Sequence, residues 1–439
     1  MKQFSVISMM AVVAFSSCAS DNADQSFNGG NDDDKVSVVY PAGSIVWGED
    51  TTVVLTDHYV VPKGRSLYIE KGATVLMANA VVKPEIVVLG NLYSMGTEAK
   101  PITFTVPDSL KKERFGRPWG GVICGYDSEE LFLNYTTIEY CGAQTTAESP
   151  SYRNGLFKTN TGEGVPAVHF CNTQGRMVIE NCTFHNNAED HLYITGGQSI
   201  VTKNRFIANG YDGGEAVNYK SDCEADIAYN LIYDANTNGF KLSNAGFMYD
   251  QSDLNVYNNT LVNSGWRRPK VKGGSIWLET NILVNLCNNL IYDCRWGLKH
   301  STSETEDQAS VLTPNFYYAS TQKGVDQMQA KEAEGILQGD KDIRSTAPGN
   351  QNPLFKKYIQ QENVNINVAS NEGDVPQAWN NTWDFHLSAS SPALHGGTMD
   401  VPCHFSIKGL TFVGLAGIQS ENTFRSPAPA TYFGAFGAR

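Results

Sequence analysis

An excess of lysine and arginine is missing from this chain, 33 against 46 aspartates and glutamates. Its formal net charge is −13 and its pI is near 5.1. That balance excludes a surface built for nucleic acid or anionic lipid, because phosphate binding needs grouped cations. Beyond the first residues no stretch approaches the ~20 apolar side chains of a membrane helix. There is no Walker loop, G-x-S-x-G, H-E-x-x-H or tight Asp-x-Asp calcium cluster, so the common signatures of nucleotide, serine-hydrolase and metallopeptidase chemistry are absent. The cysteines follow no zinc spacing such as a close C-x-x-C pair. No metal site is expected, and no cofactor; Ca2+ has no motif here. Asp32 to Asp34 lack the framed loop that would make them a calcium site.

What is present begins with an export signal. Lys2 precedes an apolar Val6–Phe15 segment, too short to span a bilayer. Ser16-Ser17-Cys18 then resembles the lipobox of bacterial lipoproteins, which implies cleavage and lipidation at Cys18. Residues 1–18 are therefore read as a lipoprotein signal peptide and 19–40 as an acidic flexible linker, since its Asp, Gly and Asn cannot bury a core. The expected location is the outer membrane, facing the cell surface, with the lipid as the only membrane attachment. The eight later cysteines permit disulfides in an exported protein, or serve as small buried thiols.

An internal repeat dominates the rest. A six-residue frame runs apolar, two variable, small polar or thiol, variable, apolar. It reads Leu133–Ile138, Ile179–Phe184, Val201–Phe206, Ile227–Ile232, Val256–Leu261 and Leu286–Ile291. From Ile179 the starts are 22, 26, 29 and 30 residues apart. The first gap, 46 residues, fits two turns or one turn with a long insertion. Between the frames lies a second one that alternates apolar and variable residues: Val168-His169-Phe170, Leu192-Tyr193-Ile194, Val217-Asn218-Tyr219, Phe240-Lys241-Leu242, Ile276-Trp277-Leu278 and Leu298-Lys299-His300. Period two means short strands with one face inward. Two strand types alternating at this interval, with no amphipathic helix between them, describe a solenoid whose coils bury a core only when stacked. The fourth position of the first frame is Asn in four successive copies, Asn204, Asn230, Asn259 and Asn289. Asn tolerates left-handed backbone and bonds its neighbours, so these amides are read as a ladder at a bend.

With Tyr59–Gly64, Leu67–Ala73, Val88–Leu92, Pro101–Thr105 and Trp119–Ile123, the chain resembles the right-handed parallel β-helix proteins of the pectate-lyase-like superfamily. It looks most like exported lipoproteins of the Bacteroidetes type. The resemblance implies an all-β fold, a single right-handed parallel β-helix over residues 41–300. Residues 301–439 are read as a long excursion followed by C-terminal coils or a cap. Asp384–Leu387 and Ile407–Val413 are candidates for the last strands, and one short helix is expected within 324–339.

The variable residues of the second frame, His169, Tyr193, Asn218, Lys241, Trp277 and Lys299, point away from the core on this reading and form one stripe. Aromatic faces stack on sugar rings and Lys pairs with a uronate carboxylate. In the resembled family the equivalent sheet lines the glycan groove. The expected partner is therefore an extracellular polysaccharide bound by a monomer. If the chain is an enzyme, β-elimination needs a base, for which Lys241 or Lys299 is the candidate with Lys220 or Arg295 assisting. Hydrolysis needs two carboxylates, for which Asp190 and Glu215 are the best pair. A non-catalytic adhesin or structural surface protein is the remaining class.

Overall fold

The computed structural model describes residues 38–156, 160–211, 213–268, 272–358 and 379–439. Two units separate, 1–39 and 40–439. The signal peptide, Cys18 and nearly all of the linker lie outside the described residues.

In the second unit the alternation of short apolar strands produces three parallel sheets, visited in turn as the chain winds. Sheet A starts at Ile45–Trp47 and ends at Leu283–Cys287. Sheet B runs from Thr52–Leu55 to Ile343–Arg344. Sheet C runs from Tyr59–Val61 to Leu298–His300, where Ile336–Leu337 adds antiparallel. This is a single right-handed β-helix solenoid.

The six-residue frame is the corner from sheet A to sheet B. Its first apolar residue is the second-to-last of an A strand and its last lies in a B strand. Leu133, Ile179, Val201, Ile227, Val256 and Leu286 are directly paired from coil to coil. So are Ile138, Phe184, Phe206, Ile232, Leu261 and Ile291. All twelve are buried in one core cluster. Leu133 pairs directly with Ile179, so the 46-residue gap is one turn carrying a long insertion, residues 142–165.

The corner holds the asparagine ladder. The backbone N–H and Nδ2 of Asn204 donate to Asn230 Oδ1, both at 3.0 Å. The same pair of bonds joins Asn230 to Asn259, Asn259 to Asn289 and Asn289 to Asn315. Asp342 Oδ1 ends the row by accepting from Asn315 N at 2.8 Å. At four of these bends the left-handed residue is the one before the ladder Asn: Lys203, Tyr229, Asn258 and Asn288 have φ between 49° and 59°, and Asn181 takes the same conformation before Cys182, which stands at the ladder position of its copy. The ladder amides thus satisfy backbone donors at the corner, while the preceding residue makes the bend.

Residues beyond 300 differ from expectation. Phe316–Tyr318 and Ile343–Arg344 continue sheet B, so coils extend past 300, and the short helix spans Gln322–Met328. Asp384–Leu387 is a strand, but it pairs antiparallel with Phe355–Lys357. Leu410–Thr411 pairs antiparallel with Thr423–Phe424. Neither closes a coil. Residues 379–439 instead lie along the outside as a strap. Phe405, Leu410, Phe412 and Leu415 bury the outer face of sheet A, with Tyr68, Tyr93, Phe132, Val178 and Ile200. Phe385, Leu387, Ala393 and Phe433 bury the outer face of sheet B, with Leu231, Tyr233, Val262, Tyr292 and Phe316. Strands apolar on both sides need both faces covered, and the strap supplies the second cover.

Buried carboxylates hold the strap by its backbone. Glu130 accepts from Val413 N at 2.7 Å and Gly414 N at 3.0 Å. A Cβ at Gly414 would fall 2.0 Å from Tyr93 Oη, so only glycine fits there. Asp226 accepts from His404 N at 3.2 Å, Phe405 N at 3.0 Å, Asn255 Nδ2 at 2.8 Å and the Ser426 hydroxyl. Asp226→Asn turns a donor amide toward these donors. It should cost about 1–3 kcal/mol, read as a lowered urea midpoint with faster amide exchange at residues 404 and 405. Unchanged exchange there would show that Asp226 does not hold the strap.

His404 adds a pH dependence. Burial disfavours its charged form, but Asp253, Asp226 and Glu224 outweigh that and lift its pKa above the usual imidazole value. Its ring stands 3.4 Å from Glu224 and 3.6 Å from Asp253. A raised folded pKa gives stability that is complete below the unfolded value of about 6.5. That stability fades as pH rises through the folded value. The melting temperature of wild type should therefore fall over that interval relative to His404→Gln. Parallel pH profiles for the two proteins would remove His404 from the linkage.

Candidate functional site

Sheet C is the one sheet whose outer face the strap clusters leave out. Strand alternation puts Val168, Phe170, Leu192, Ile194, Val217, Tyr219, Phe240, Leu242, Ile276, Leu278 and Leu298 in the core. The intervening residues therefore point outward. Their register is direct from coil to coil: His169 pairs with Tyr193, Tyr193 with Asn218, Asn218 with Lys241, Lys241 with Trp277, and Trp277 with Lys299. The six form one row with ~4.8 Å steps.

The row does not present one open surface. His169, Tyr193 and Asn218 are buried, at 1%, 5% and 4% exposure. Over the neighbouring coils of the same face the insertion 142–165 packs its Leu156 and Val165 on Val87 and Ile123, and Asn218 is held by Asp190. Sequence periodicity gives the direction of a side chain and is silent about what a distant insertion lays over it. Lys241, Trp277 and Lys299 are half-buried and face a cleft of about 380 Å³. Arg268, Lys272, Gly273 and Trp296 wall it.

Charge is concentrated at one end of this cleft. Glu279 accepts from Trp277 Nε1 at 2.6 Å and pairs with Lys241 at 3.2 Å and Lys220 at 3.9 Å. Burial would raise the Glu279 carboxyl, but Lys241, the indole N–H and Lys220 hold it below its ordinary value. Lys241 is lifted above the usual lysine value, because Glu215 and Glu279 outweigh its burial. Lys220 goes the other way. Burial, and then the Lys241 charge, lower it to about 8, against partial support from Glu279, Glu215 and Asp190. Its ammonium lies 5.7 Å from the Tyr193 ring centroid.

Asp190 and Glu215 are together but do not straddle a space. Asp190 Oδ1 accepts from Glu215 N at 2.9 Å, Oδ2 accepts from Asn218 Nδ2 at 2.8 Å, and the two side chains are hydrogen-bonded. Burial and the neighbouring Asp190 push the Glu215 carboxyl up. Hydrolysis sets its carboxyls at least ~5 Å apart, around the scissile bond. A pair in contact suits proton sharing and does not suit that arrangement. Arg295 is not part of the cleft. It is 1% exposed, donates to Trp266 O at 2.9 Å and stacks on the Trp266 ring at 5.2 Å. Lys299 sits 4.5 Å from the Trp296 ring centroid and 5.9 Å from that of Trp277.

Sequence reasoning assigned Lys220 a minor part and missed Trp296 and Lys272. Trp296 precedes the last strand of the second frame, and Lys272 sits in the insertion that lengthens one coil step to 36 residues. That irregular step was the available signal. Among the described residues no group of three or more His, Cys, Asp or Glu is arranged to hold a metal ion. Cys124, Cys141, Cys171, Cys182, Cys223, Cys287, Cys294 and Cys403 are free thiols, and all but Cys403 are buried.

Comparison with known proteins bears on the fold. The family described as "Right handed beta helix region" matches residues 123–315. The crystal structure of pectate lyase Pel9A aligns over 91% of this chain and 89% of that chain, at 12% identity and a TM-score of 0.37. No curated protein matches.

Proposed function

We propose that this chain binds an acidic polysaccharide in the sheet C cleft, as an exported protein tethered to the outer membrane by lipid on Cys18. The observation that carries the proposal is electrostatic. In a chain of net charge −13, Lys241, Arg268, Lys272 and Lys299 line one cleft, against Glu215 and Glu279. That cation excess sits beside the indoles of Trp277 and Trp296. Cations pair with uronate carboxylates, and flat rings stack on the sugar at low entropic cost. A neutral sugar would form no ion pair with these four cations.

Titration with oligogalacturonates, followed by tryptophan fluorescence, tests this. Trp277→Ala should weaken binding at least tenfold, or about 1.4 kcal/mol. Equal affinity of the variant, or wild-type preference for neutral oligosaccharides, would overturn the proposal. Cys18→Ser should release the protein from the membrane fraction, and unchanged lipid labelling of that variant would remove the anchor.

A second reading, turnover by β-elimination, is favoured by Lys220. A lysine lowered to about 8 has a substantial neutral fraction near neutral pH and can take a proton. In such a step the proton on the carbon α to the uronate carboxylate passes to Lys220. The electron pair left behind forms a carbon–carbon double bond, and the adjacent glycosidic C–O bond breaks. Glu215, whose pKa is raised, can return a proton to the leaving oxygen, while Lys241 faces the carboxylate.

A further inference from the structure

Exposure along the outward row of sheet C is graded. Ile123, its next member toward the N-terminal coils, is fully buried. His169, Tyr193 and Asn218 are nearly so, and the Lys241 side chain is a quarter exposed. The row is therefore covered at one end and open at the other.

The cover reaches from edge to edge. The insertion leaves the B-to-C side of the coil, where Gly142 N bonds Gly120 O and Val165 N bonds Ala143 O. Leu156 then lies over Ile123 and Val87 in the middle of the sheet face. At the far edge, in the C-to-A turn, Tyr126 Oη donates to Gly155 O at 3.3 Å. A second segment meets it there, for the Phe247 ring stands 6.0 Å from that of Tyr126. The acidic group of Glu163, also from the insertion, acts on the Tyr193 phenol. A polymer laid along sheet C cannot continue past Tyr193 toward Ile123.

We infer that the cleft accepts the end of a polysaccharide chain and excludes its interior. This rests on the acidic-glycan reading above and adds the mode of recognition. The open part of the row, Lys241 to Lys299, spans two coil steps, roughly 10 Å, so only a few sugar rings fit. An interior-binding groove would need to be open at both ends.

Competition experiments with the intact protein test the inference. Size-defined oligogalacturonates are titrated first, then polygalacturonate competes against a labelled oligomer. Affinity is expected to stop rising after the first few rings, and polymer should compete in proportion to its molar concentration of ends. Modifying one terminus of the oligomer, by reducing the reducing end or unsaturating the other, should weaken binding at least about tenfold for one of the two. Polymer competing by mass, or neither end modification weakening binding, would overturn chain-end recognition while leaving the acidic-glycan reading intact. If no oligogalacturonate binds at all, that reading falls and this inference falls with it.

Discussion

Lys220→Met is expected to abolish formation of unsaturated product from an acidic glycan, by about 10²- to 10⁴-fold in rate, while leaving binding within a few-fold. The side chains are similar in length, so the pocket beside Tyr193 stays filled and the loss reports the amine. The pH profile is the sharper readout. Lys220 must be neutral to accept a proton and its pKa is lowered to about 8. Wild-type rate should therefore rise with pH and level off above about 8. Burial is the larger cause of that lowering and the Lys241 charge the next. In Lys241→Met the rising limb should move to higher pH, since a neighbouring cation no longer disfavours the charged amine. Stopped-time assays by ultraviolet absorbance across pH check both. An unmoved limb in Lys241→Met would take the base role from Lys220. A wild-type protein that binds and forms no unsaturated product would leave binding alone.

Phe206→Ala should cost about 3–5 kcal/mol of stability. Phe206 is 1% exposed, stacks on Phe184 at 5.0 Å between ring centroids, and lies 5.9 Å from the His191 ring. Its coil neighbours above and below are fixed by direct pairing to Phe184 and Ile232. The sheets cannot close in on the space, because the ladder amides hold the adjacent corner at constant spacing. The expected result is a urea midpoint lowered in proportion, with the slope unchanged. A loss below about 1 kcal/mol would mean that the coil collapses around the cavity.

The core was legible because a corner of fixed length forces its residues into fixed positions. Ile179 and Phe184 must both face inward whenever the bend takes the same six residues, and each copy repeats the constraint. The register of the sheet C row was legible for the same reason, since period-two alternation leaves His169 and Tyr193 no other direction. Accessibility was not. His169 is 1% exposed next to Ile123, over which Leu156 and Val165 pack, and no local pattern around His169 announces that burial. Nor was the outer burial of sheets A and B foreseen. Tyr68 donates to Gly414 O across 346 residues of sequence, a separation at which periodicity carries no information. Lys220 was undervalued because it lies just past the strand, where alternation stops, and its lowered pKa comes from burial. Asp190 and Glu215 were correctly placed on neighbouring coils, but Asn218 and the backbone draw them into contact, which spacing alone does not show.

The strap has a consequence for the length of the solenoid. An array whose units touch only their neighbours can gain or lose a unit at modest cost. Here the strap descends from Thr398, which bonds Asn288, past Asp226 at residues 404 and 405, to Glu130 at residues 413 and 414. It then climbs back past Asp226 again at Ser426 and Asn258 at Ala430. Removing the coil between Glu130 and Asp226 that begins at Gly197 would draw those two carboxylates together by ~4.8 Å. Both legs of the strap would then be out of step with their acceptors, and duplication of a coil would do the same in the opposite sense. The strap therefore works as a ruler. This protein can diversify by exchanging side chains within a coil or by enlarging an insertion at a turn, but the number of coils between Glu130 and Asn288 is fixed.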